Sequence, residues 1–150
     1  MSTHIKPSEQ LALLGSVHPQ SVASGATVTT GWVSASKFGA IMAMINTGAL
    51  GTTSTVDAKL EQATTVAGAG QKDIAGSAMT QLVKTGGENS VVFTQAMCNI
   101  GLDHNNGYQF VRASVTVGVA SAFISASLLG CNPVYSPCNN FNVGVVQIVG

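Results

Sequence analysis

Between Ser54 and Gln62 the chain alternates strictly. Val56, Ala58 and Leu60 fall on one side, and Asp57, Lys59 and Glu61 fall on the other. Only an extended backbone separates two such sets onto opposite faces, so the segment reads as a half-buried antiparallel strand. Tyr108–Val117 repeats the pattern, with Gln109, Val111, Ala113, Val115 and Val117 in one row. Composition extends the inference to the whole chain. Charged residues make up 8%, against about 25% in ordinary soluble domains. The remainder is rich in glycine and in small and β-branched residues, which favours stacked sheets over helix bundles. At 150 residues a single domain with its own core is expected.

The expected class is all-β, an antiparallel β-sandwich with extended arms at both ends. Residues 1–26 are an N-terminal arm, 27–130 the sandwich body, and 131–150 a C-terminal arm or added strand. Pro7-Ser8-Glu9-Gln10 can start one helical turn, because proline is tolerated at the first helical position. Thr27–Ser34 is β-rich, and Trp32 is expected to anchor the core or a strand edge. Phe38–Asn46 is apolar on both faces, as a central strand between two layers would be; so short a run leaves a helix open as the alternative. Ser77–Val83 and Val91–Asn99 read as further strands. Gly118 separates Tyr108–Val117 from Ala122–Leu129, which suggests a hairpin. The terminal run Val143–Val149 is an aggregation hazard if bare, and is expected to add to a sheet of its own chain or a neighbour's.

The residues exclude several function classes. Six basic residues stand singly, at Lys6, Lys37, Lys59, Lys72, Lys84 and Arg112, and the net charge is zero. No cluster exists to follow a phosphate backbone, so no nucleic-acid partner is expected. No apolar run reaches the roughly 18 residues of a membrane span, and the first residues lack a signal-peptide pattern. Synthesis in the cytoplasm with reduced thiols follows as an expectation. Cys131 and Cys138 could close a small loop, but that compartment favours free thiols. Gly68-Ala69-Gly70-Gln71-Lys72 lacks the phosphate-loop spacing and fits a loop with positive φ. Asp57 and Glu61 flank Lys59 on what reads as a solvated face, unlike a poised acid pair. Asp103-His104 precedes the turn signal Asn106-Gly107 and reads as turn hydrogen bonding. His4, His18 and His104 are scattered. No enzyme, cofactor or metal site is expected. A carbohydrate-binding module on a sandwich would call for exposed aromatics, and one Trp, two Tyr and five Phe are a thin supply.

A low-charge surface is poorly protected against self-association, and suits a chain that is covered inside an assembly. The apolar positions nearest the ends, Leu11, Leu13, Leu14 and Val17 and then Val143, Val145, Val146 and Ile148, are the candidate contacts with other subunits.

Three stretches are familiar together: Ser54-Thr55-Val56-Asp57-Ala58-Lys59-Leu60-Glu61-Gln62-Ala63; Lys72-Asp73-Ile74-Ala75-Gly76 with Thr80-Gln81-Leu82; and Gly107-Tyr108 with Val111-Arg112 and Ser114-Val115-Thr116-Val117-Gly118. Over roughly residues 30–130 the chain resembles small structural proteins encoded among the head genes of tailed bacteriophages. The resemblance implies a virion protein, above all a capsid decoration (cement) protein with a jelly-roll-like body on the capsid exterior. Its partners would be the major capsid protein and copies of itself, a trimer being one candidate oligomer. The alternative it leaves is a head–tail joining or tail component, or the base of a head spike that contacts the host surface.

Overall fold

The computed structural model describes residues 6–83, the backbone of 90–97, residues 102–134, and residues 145 and 147. The expected contacts Val143, Val146 and Ile148 lie outside the described residues, as do Cys98 and Cys138. So does the expected added strand over 143–149, apart from Val145 and Gln147.

One helical turn, α1 (Pro7–Gln10), opens the described chain. Pro7 supplies its fixed φ, and the Glu9 carboxylate accepts the Lys6 backbone N–H at 2.9 Å, as a capping glutamate does. Ten strands follow: β1 (Leu11–Val22), β2 (Thr27–Thr29), β3 (Val33–Ser34), β4 (Phe38–Thr47), β5 (Thr55–Ala63), β6 (Lys72–Asp73), β7 (Leu82–Val83), β8 (Ser90–Met97), β9 (Phe110–Gly118) and β10 (Ala122–Pro133). A first sheet has the order β1-β10-β4-β8. A second has β2-β9-β5-β6, with β3 also paired to β9 and β7 to β5. All pairings are antiparallel. From β4 onward the longer strands (β4, β5, β8, β9, β10) alternate between the sheets along the chain, and no two neighbours in the first sheet are consecutive in sequence. That order is a jelly roll, the double-sheet Greek-key solution for antiparallel strands.

Alternation explains the core. Val56 and Leu60 of β5 and Val111, Val115 and Val117 of β9 are fully buried, and they meet Ile41 and Ile45 of β4 and Ile124 and Leu128 of β10. β4 is the central strand its two apolar rows imply, held between β10 and β8. Tyr108–Val117 likewise buries the predicted row from Val111 to Val117.

Three expectations are corrected. The N-terminal arm is, from Leu11 to Val22, a full strand paired to β10. Two residues that disfavour strand, Gly15 and Pro19, have specific places in it. Gly15 faces the second sheet, where a Cβ would sit 2.8 Å from the Thr30 carbonyl oxygen; a side chain there would wedge the layers apart. Pro19 sits in one of two register shifts, Leu13/Gly15 and Val17/Gln20, where a missing N–H costs no ladder bond. The expected hairpin about Gly118 is absent, because β9 and β10 belong to different sheets. The turn there, with Val119 at φ 63°, carries the chain across the sandwich. Finally, Ser77–Val83 is strand only at Leu82–Val83. Gly76 has φ 76°, and the Ser77 hydroxyl bonds both the N–H and the carbonyl of Leu60. Residues 74–81 are thereby tied onto β5, through Ile74 N–H to Leu60 and Met79 N–H to Ala58.

A truncation follows from β1. Removing residues 1–20 deletes Ala12, Leu14 and Val17 from the core, at about 2 kcal/mol for each buried leucine or valine. The truncated protein is expected to lose its cooperative thermal transition. A melting curve like that of the full chain would return β1 to the status of an arm.

Candidate functional site

The outer faces of the two sheets differ in chemistry. On the first sheet, the registers of β1, β10 and β4 set Leu11, Cys131 and Ala40 in one row, then Leu13, Leu129 and Met42, then Ser16, Ser127 and Met44. Ser125 and Asn46 continue it, and Phe123 lies beyond at 63% exposure. None of these side chains carries a charge. They are half-buried or exposed, while their neighbours in sequence fill the core. The face is therefore a neutral, largely apolar surface on three adjacent strands.

The outer face of the second sheet holds most of the described charge. Glu61 on β5 is 5% exposed at its side chain and accepts Arg112 Nε at 2.7 Å, with Lys59 Nζ 3.5 Å away. Cross-strand register creates the pair, because Glu61 lies opposite Arg112. The guanidinium stacks on the Trp32 ring at 4.4 Å, and the indole covers Gly68, where a Cβ would lie 2.6 Å from Nε1. Trp32 is thus an anchor of this ion pair rather than of the core. The row Asp57, Lys59, Glu61, expected to be a solvated face, is solvated only in part, since Arg112 and Trp32 make it possible to bury Glu61. Lys59 also binds Asp73 at 2.7 Å, and that bond is the chief cause of its pKa rising above the ordinary lysine value.

Farther along, Lys72 binds Asp103 and sits 4.1 Å above the Tyr108 ring. The Asp103 hydrogen bond raises the Lys72 pKa, and the same bond, helped by Asn106, lowers that of Asp103. Asp103 accepts Asn106 Nδ2 at 3.0 Å, and Gly107 closes the turn at φ 80°. The Asp103-His104 step is turn chemistry. Among the described residues, no three His, Cys, Asp or Glu side chains gather as a metal cluster, and no helix is long and apolar enough to cross a membrane.

The structure divides the expected contact residues. Leu11 is 38% exposed and Leu13 half-buried, both on the neutral face. Leu14 and Val17 are corrected to core residues: both are buried, at 6% and 5%, because β1 turns them inward. Val145 is half-buried. The neutral face also holds Met42 and Met44 of β4 and Leu129 of β10, which the sequence reading did not single out. The signal for the two methionines was the second apolar row of β4, which reads equally as a buried layer.

No protein-family model matches the chain, and no curated protein does. Among solved structures it is similar to the Cowpea mosaic virus top component, the naturally occurring empty particles, with TM-score 0.44 and 10% identity over 85% of this chain and 88% of that one. It is also similar to Broad Bean Stain Virus, with TM-score 0.42 and 14% identity over 88% and 90% of the two chains. The jelly-roll strand order is independent of these likenesses.

Proposed function

We propose that this protein is a structural component of a virus particle, a decoration protein that seats the neutral face of its first sheet on the major capsid protein. The single observation that carries the reading is the division of charge. One outer face bears the ion pairs of Glu61, Arg112, Lys59 and Asp73, and the opposite one bears none on Leu11, Leu13, Met42, Met44 and Leu129. A surface of that kind suits contact with other protein more than contact with water. The sequence resemblance to phage head-gene products supports the choice of a virion, and the capsid exterior as its place in one.

The mechanism is area burial. At about 25 cal/mol per Å² of apolar surface, a few hundred Å² is worth several kcal/mol before association costs are met. On a shell with many equivalent sites, weak individual contacts add up when copies also touch each other. Counting copies in purified particles tests the role. Hundreds per particle support decoration; a dozen or fewer would overturn it in favour of a head–tail joining or spike position.

A further inference from the structure

On the outer face of the second sheet, away from the neutral face, residues 74–81 run beside β5, and Ala78 and Met79 border an open pocket of about 360 Å³. Asp57, Lys59, Ser114 and Thr116 line it, with Ala78 and Met79 as its apolar wall. Small-molecule sites begin at about this volume.

The floor holds an anomaly. Ser114 is only 4% exposed, yet its hydroxyl bonds no described residue. Buried hydroxyls almost always find a partner, and an orphan needs an explanation. The walls supply polar atoms around it. Asp57 is held by Gln81, whose Nε2 donates to Oδ2 at 2.7 Å. Its other oxygen accepts from no described residue, and no described cation pairs with it. The Thr116 hydroxyl shares one bond with Thr27 at 2.7 Å and keeps further capacity.

Charge selects the ligand class. An anion would meet Asp57, and a cation would meet Lys59. A neutral hydroxyl both donates and accepts, so it can bond the carboxylate, the ammonium and Ser114 together. Met79 and Ala78 would lie against the C–H face of such a molecule. We infer that this pocket binds a neutral polyhydroxy ligand of the sugar class, with Asp57 and Ser114 as its principal hydrogen-bonding groups. The site needs no aromatic platform, so the thin aromatic supply does not count against it. It is also separate from the proposed shell contact, and either can fail without the other.

The test uses the full-length, isotopically labelled protein and titrates it with glucose, galactose and mannose. At least one hexose is expected to give saturable, roughly millimolar shifts at the amides of Ala58, Met79, Ser114 and Thr116. Ser114→Ala should weaken binding at least tenfold without lowering the thermal midpoint, because it removes a buried hydroxyl with no described partner and adds no volume. Asp57→Asn should weaken it similarly, with the rest of the spectrum unchanged. Butylamine and inorganic phosphate should leave the same amides unmoved. The inference is overturned if no hexose saturates these shifts, if either charged probe binds more tightly than the hexoses, or if Ser114→Ala lowers the midpoint, as the loss of an existing hydrogen bond would.

Discussion

Replacing Met42 and Met44 together by glutamate is expected to abolish capture of the protein by shells that lack it, with at least a hundredfold loss of affinity. Both side chains lie on the neutral face, in adjacent rows with Leu129 and Ser127. A carboxylate buried there on docking would lose its hydration and find no cation in those rows. Burying an unpaired charge at an interface costs about 2–5 kcal/mol, so two substitutions together exceed the roughly 2.7 kcal/mol of a hundredfold loss. In the free protein both positions are half-buried and next to solvent, so the fold should change by no more than about 1 kcal/mol. Co-sedimentation with shells, read beside a thermal melt, separates the two effects. Undiminished capture of a folded double variant would remove the neutral face from the contact.

Among single substitutions the largest effect on stability is expected at Arg112. Arg112→Met leaves Glu61 buried with only Lys59 at 3.5 Å to balance it, and takes the guanidinium from the Trp32 ring. Breaking a buried ion pair from one side costs about 3 kcal/mol or more. For a domain of this size that lowers the thermal midpoint by about 8 °C. Adding Glu61→Leu should recover most of the loss, since the stranded charge rather than the missing attraction carries the cost. If the double variant is no more stable than the single one, stacking on Trp32 dominates instead.

Much of the fold was legible because alternation reports directly on which side of a sheet each residue faces. Strand β5, the inward row of β9, the central place of β4 and the positive φ of Gly68, Gly70 and Gly107 follow from local chemistry. What alternation cannot report is which strands pair. Gly118 between two β-branched runs looks the same whether the chain folds back in one sheet or crosses to the other, and only global packing chose the crossing. Leu14 and Val17 were misjudged for a related reason. Glycine and proline nearby resemble an arm, whereas a bulged edge strand has the same composition. The burial of Glu61 depends on Arg112, 51 residues away, and on Trp32, beyond the reach of any local pattern. The neutral face was half visible, since a second apolar row on β4 does not declare whether protein of its own chain or of another covers it.

The two register shifts of β1, with Pro19 in one of them, also bear on how the free chain avoids pairing with its own copies. A long, regular outer strand invites the next molecule to dock edge to edge, and repetition of that contact makes fibres. Irregular pairing along β1 spoils the template at two points. In a chain with so little charge to repel its own copies, this interruption supplies at that edge a barrier to stacking that charge does not.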